Sequence, residues 1–215
     1  MANFDVQILD LVNLDFSDQV AMDGWAADGV KEIINMMPFE MKQKCSAVSI
    51  LNTTNGTTLD LDGRGQILQV TRKEDSNKYH VPCREISPIL SDLANDSNSM
   101  YKASESDPVY YQTSNSSGAP TLFVLPTPTD SEPSNVYYVS YPTVNVSDVD
   151  TIADFPDELE YLVVLYTAIK VAESLMISEE DPELFAPILQ TLKQDYAQGL
   201  QSSGIVQAQP QQGAR

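Results

Sequence analysis

The longest run of apolar positions lies between Asp154 and Met176, in DFPDELEYLVVLYTAIKVAESLM. Its opening predicts a helix start. Asp154 can cap, Pro156 suits the first turn because its missing N–H needs no partner there, and Asp157 and Glu158 favour the positive end of the helix dipole. From Leu159 to Ala172 only Glu160, Thr167 and Lys170 are clearly polar, and Glu160, Thr167 and Ser174 make one narrow stripe. A surface helix normally shows a wider polar face. Most of this helix is therefore expected to be covered, with Leu162, Leu165, Tyr166 and Ile169 in packed contacts on more than one side.

The remaining pattern reads as helix, strands, helix. A helix is predicted from Ser17 or Asp18 to about Met37, with Val30, Ile33, Ile34 and Met37 on one face; Gly24 and Gly29 weaken it and Pro38 stops it. From Ser46 the period shortens to that of strands: AVSIL, an Asn-Gly turn at 55–56, TTLDLDG and QILQVT. REISPILSDLAND holds one helical turn or two. PVYYQ, TLFVL and VYYVSYP are three further strands, and between the last two PTPTDSEPSN can be neither helix nor central strand. That loop, Pro126–Asn135 with Pro126, Pro128 and Pro133, is expected to project as the tip of a hairpin and touch a neighbouring component. A last helix is predicted over 182–198, kinked or restarted at Pro187.

The layout is thus an α+β domain over 1–200, with helices at 17–37, 155–177 and 182–198 and β-rich stretches at 46–79 and 108–142. Residues 201–215 form a Gln/Gly/Ser-rich tail whose composition does not repay the entropy of ordering alone. Ile205, Val206 and the final Arg215 suit a segment that orders against a partner.

Composition changes the picture in one respect. Twelve basic residues against 31 acidic ones leave a net charge of −19, which argues against a surface that neutralises phosphates and suits one that must not adhere to a polyanion. The start MANFDVQILD has neither the basic residues nor the apolar run of a secretory signal, and 159–172 is too short and too interrupted to span a bilayer. Synthesis in a cytoplasm is expected, and the five Asn-x-Ser/Thr triplets then follow from composition. Cys45 and Cys83 give no disulfide framework.

Candidate chemistry is sparse. His80 is the single histidine, so a histidine-built metal site or nucleophile pair would rest on one residue. DLDGRG at 60–65 lacks the third acid and closing glutamate of a calcium loop and reads as a turn. SEEDPE at 178–183 is explained by capping between two helices, and Trp25 with the tyrosines at 110, 111, 137, 138 and 141 by core or cross-strand pairing. No catalytic, cofactor or metal residues are assigned, and an enzyme is not expected.

From Tyr79 onwards the order of blocks resembles a known family. VPCREISPILSDLANDSNSMYKASESDPVYYQ, LFVLPTP, an interrupting loop, VYYVSYPTVNVSD and IADFPDELEYLVVLYTAIKVAESLM are similar to the head-to-tail connector, or adaptor, proteins of tailed bacteriophages, over roughly residues 79–178. The resemblance implies a helical bundle with an inserted antiparallel β-sheet or hairpin, forming a ring subunit. It implies commonly twelve copies beneath the portal protein, a tail or nozzle protein below, and DNA passing through the channel without specific binding, in the virion neck. In such proteins a carboxy-terminal extension often packs along the portal, so the tail is expected at that interface. A tail-completion or tail-terminator ring of six copies, and a soluble non-virion ligand-binding protein or enzyme with a buried central helix, stand as alternatives.

Overall fold

The computed structural model describes residues 3–74, 79–147, 151–178 and 182–205. The chain folds as α+β in two compact units: a helical unit from residues 1–45 and 141–215, and a β unit, 46–140, inserted between its two parts.

The helical unit begins with a helix in addition to the three expected ones, α1 (Phe4–Val12). Phe4, Ile8 and Val12 recur every fourth residue and are buried; Asn13 ends the helix in a left-handed conformation, φ 55°, with its N–H on the Leu9 carbonyl at 2.8 Å. Next comes α2 (Gln19–Met36), where the Asp18 carboxylate accepts the Ala21 N–H at 3.0 Å and Met37 turns extended ahead of Pro38. Gly24 and Gly29, expected to weaken this helix, do not divide it. Gly29 serves instead as a close approach: a Cβ there would lie 2.8 Å from the Tyr166 ring. A short helix, α3 (Phe39–Lys42), leads to the β unit.

After the β unit the chain returns through 141–147, which is tied to the helices. The Val146 N–H donates to Asp23 at 2.9 Å, its carbonyl accepts from Asp5 N–H at 3.0 Å, and the Tyr141 hydroxyl donates to Asn35 at 2.8 Å. The last two helices are α5 (Asp157–Ser178) and α6 (Pro182–Ser202). Pro187 lies inside α6, which continues through it as one element.

The question posed by the apolar run is answered within the helical unit. Helix α5 packs against α1, α2 and α6. Its narrow polar stripe is not its wet side: Glu160 is 9% exposed and Thr167 is fully buried. Both of these buried groups have a partner nearby in the chain. Glu160 accepts the Ile152 N–H at 2.5 Å, and the Thr167 hydroxyl donates to the Val163 carbonyl at 2.8 Å. Exposure falls instead on Tyr161 and Ile177.

The β unit carries two four-stranded sheets. One is ordered β1 (Ser46–Leu51), β8 (Ser134–Val139), β3 (Ile67–Lys73), β4 (His80–Pro82). The other is ordered β2 (Thr58–Asp60), β7 (Pro120–Leu125), β6 (Val109–Ser114), β5 (Arg84–Glu85), the last pair parallel. Leu51, Val70 and Val136 from the first sheet and Leu59, Leu122 and Val124 from the second share one core. A smaller cluster joins Ala94 of helix α4 (Ser91–Asn95) with Ala103 and Val109.

Two sequence expectations change here. The Asn-Gly turn at 55–56 forms, with Gly56 at φ +106°, yet it joins β1 and β2 in different sheets rather than pairing them. Likewise 126–133 does not cap a hairpin. It carries the chain from β7 in one sheet to β8 in the other, and it lies against the unit with Pro128 buried.

Candidate assembly surfaces

In the helical unit, Leu162, Leu165 and Ile169 are 4%, 1% and 6% exposed, and Tyr166 is half-buried. Leu162 meets α6 where that helix has glycine: a Cβ on Gly199 would fall 2.5 Å from the Leu162 Cδ2. Tyr166 lies over Gly29 of α2 on one side and 6.0 Å from the Tyr196 ring on another. Glycines at both crossings let the helix axes approach within the reach of these side chains. Leu162 and Tyr166 thus lie at the crossings of α5 with α6 and α2, while Leu165 and Ile169 are buried on the same helix.

Charges gather at the rim of that core. Glu173 accepts from Lys193 at 2.9 Å and Lys170 at 3.3 Å. The hydrogen bond from Lys193, then that from Lys170, holds its carboxyl below the ordinary value against the opposing effect of burial. Burial, with the Glu32 carboxylate adding to it, pushes the Tyr196 hydroxyl well above the usual tyrosine range. Beside the last turn of α6 is an open cleft of about 420 Å³ lined by Met41, Glu158, Tyr161, Leu162, Gly199 and Ser202. Glu158 there is paired with Lys44 at 2.7 Å.

In the β unit the proline loop is held by a buried cation. The Arg72 guanidinium, 2% exposed, donates to the Pro126 carbonyl at 3.1 Å, to the Lys73 carbonyl at 3.4 Å and to Glu132 at 2.9 Å. Lys73 N–H donates to the Pro133 carbonyl at 2.9 Å, and Asp130 accepts the Thr54 N–H at 3.1 Å. Hydrogen bonds from Thr53 and Thr54 hold the Asp130 carboxyl below its ordinary value. Pro126 and Pro133 are half-buried at the two ends of the loop. Nothing in the sequence pattern singled out Arg72, which sits among other polar residues in QILQVTRK.

The other candidate residues are placed as follows. His80 is exposed on β4, its Nδ1 3.5 Å from the Thr71 hydroxyl. DLDGRG forms a turn in which Asp60 accepts the Asp62 N–H at 3.0 Å and Gly63 sits at φ +69°. Trp25 packs 5.6 Å from Phe16, and Tyr111 stacks on its cross-strand partner Phe123 at 5.1 Å. Burial pushes the Cys45 thiol up to about 11 and the Cys83 thiol up to about 12, so neither is a ready nucleophile. Ile205 is 8% exposed, just beyond α6. Val206 and Arg215, like the acids of SEEDPE at 179–181, lie outside the described residues.

Among the described residues no group of acids, cysteines and the histidine could hold a metal ion, and no helix is long and apolar enough to cross a membrane. A helical unit with an inserted β unit is the α+β arrangement implied by the resemblance of the sequence blocks to head-to-tail adaptors. Comparison with protein families finds a match to the SU10 adaptor protein over residues 4–215. The chain belongs to that family, and it is a phage structural protein of the adaptor type. Comparison with curated proteins finds no match.

Proposed function

We propose that this chain is a non-enzymatic subunit of a ring in the virion neck, joining the portal to the tail and continuing the DNA channel. The observation that carries the reading is the adaptor-family match across residues 4–215. The charge supports it: at −19 per copy, a ring of such subunits repels phosphate, so a genome slides past rather than adheres. Twelve copies is the expected number, with the portal protein above and a tail or nozzle protein below. No cofactor is assigned.

Leu162, Leu165, Tyr166 and Ile169 serve the ring by fixing the helix packing on which a neighbouring copy rests. Pro126, Pro128 and Pro133 shape a loop already ordered by Arg72, so docking there would forfeit little entropy. Ile205, Val206 and Arg215 belong to a segment that contacts a partner. The test is a cryo-EM reconstruction of the isolated particle neck. Twelve copies between portal and tail are expected. Six copies at the tail end would make it a tail-terminator ring, and absence from the neck would overturn the reading.

A further inference from the structure

The two sheets of the β unit leave four strand edges, and three of them are guarded. Strand β4 is three residues long and includes Pro82, β2 is three residues long and ends in Asp60, and β5 is the charged pair Arg84–Glu85. Short length, charge and proline are the usual devices that stop an edge from pairing with another chain. Strand β1 has none of them. It is a six-residue edge, SAVSIL, with neither charge nor proline. Its partner on one side is β8, with Ser46 opposite Val139 and Leu51 opposite Ser134, and no strand among the described residues pairs with its other side. Leu51 points into the core, whereas Val48 and Ile50, on the opposite face, are 51% and 49% exposed. An unprotected backbone edge is thus bordered by two half-exposed apolar side chains.

The chain contains a segment that matches this edge. After Ile205 the sequence runs Val206-Gln207-Ala208-Gln209-Pro210. Apolar and amide residues alternate with the period of a strand, and the proline then ends any pairing. Ile205, the last described residue before this segment, is buried. Charge also fits. No acid follows Asp195, and between Glu40 and Asp60 the chain has no acid. Two copies that each carry −19 could meet through these stretches with little repulsion.

We propose that residues 206–209 of one copy add as a strand to the free edge of β1 in the next copy, with Val206 and Ala208 beside Val48 and Ile50. The donor segment and the acceptor edge are different surfaces, so the contact is heterologous, and a heterologous contact repeated through a closing rotation makes a ring. Main-chain hydrogen bonds would supply the attraction and the alternating side chains the register. The proposal rests on the ring reading above and names one of its joints; the portal is then not what this segment binds.

The experiment uses full-length protein in assembled necks. Copies carrying Val48→Cys or Ile50→Cys are mixed with copies carrying Val206→Cys or Ala208→Cys and oxidised. The expected result is a disulfide-linked pair of copies formed only in the mixture, strongest for same-face combinations and weak for Ser49→Cys on the other face of β1. Val206→Asp with Ala208→Asp should lower ring occupancy at least tenfold while leaving the monomer folded by circular dichroism. Rings that form without the cross-link overturn the proposal, as does a tail that instead cross-links to the portal. A Val48→Cys/Ala208→Cys chain that closes only on itself, when diluted with wild type, also overturns it. If the wild-type protein forms no ring in the neck, the ring reading itself falls, a result told apart by copy number before any cross-link is read.

Discussion

In the helical unit the side chains hidden from solvent are mostly aliphatic, Val30, Ile33, Ile34, Leu159, Leu165 and Val171 among them. In the β unit the largest fully buried side chain is Arg72. The first unit is held by burial of apolar surface, which is non-directional. The second adds to a thin sheet core a cation whose hydrogen bonds fix one connection between its two sheets. A packed core fails by changes of volume or polarity, whereas a buried ion pair fails when one member is taken from the other.

The largest effect is expected where the aliphatic core receives a charge. Leu165→Asp places a carboxylate at a site that is 1% exposed, at a cost of several kcal/mol, on the order of a domain's whole stability. Urea unfolding followed by circular dichroism should show the helical signal lost or its midpoint far lower. A variant with wild-type stability would show that this side of α5 is open.

The β unit should respond to loss of one partner more than to loss of both. Glu132→Ala leaves the Arg72 guanidinium buried without its carboxylate, which should cost about 3 kcal/mol. The double variant Arg72→Met/Glu132→Leu should cost less, because no orphaned charge remains. Equal losses in the two, measured by chemical denaturation, would reduce Arg72 to a space-filling role.

Two glycines of one helix should differ in sign. Gly29→Ala presses a Cβ to 2.8 Å from the Tyr166 ring, and the strain of about 1–3 kcal/mol outweighs the gain in helix propensity. Gly24 has nothing within 4 Å of a Cβ, so Gly24→Ala should stabilise by up to about 1 kcal/mol. Melting temperatures of the two variants check this directly.

The smallest effect concerns pH. Glu173 has a folded pKa below its ordinary 4.5, so it binds protons less readily folded than unfolded. Its contribution is present above pH 4.5 and is lost as pH falls through the lower folded value. Glu173→Gln should therefore lie slightly below wild type at neutral pH and converge with it in acid. Parallel curves throughout would leave the two lysines without a role in stability.

What the sequence made legible follows the range of each interaction. Helices α2, α5 and α6 could be read because their signals are local: Asp18 as a cap, Pro38 as a stop, and apolar residues repeating each turn. Helix α1 carried the same signal in Phe4, Ile8 and Val12, but over only nine residues. Strand positions were legible, whereas their partners were not. β1 pairs with β8, some ninety residues away, and the choice depends on which faces share a core rather than on either strand's own residues. The polar stripe of α5 misled because a threonine can satisfy itself on its own helix and a glutamate on a nearby N–H, so polarity did not imply water. For Pro126, Pro128 and Pro133 the sequence marked a loop but not its place against the β unit, since Arg72 and Glu132, which hold it, lie far apart in the chain.

The pairing of β1 with β8 has one more consequence. The strand by which the chain arrives in the β unit and the strand by which it leaves are neighbours, with Ser46 directly opposite Val139. Residues so paired stand about 5 Å apart, so the two ends of the β unit lie side by side. That closeness makes 46–140 a cassette. It could be lost, enlarged or exchanged for another in the course of descent, and a short linker between Cys45 and Tyr141 would close the gap without pulling on the helices.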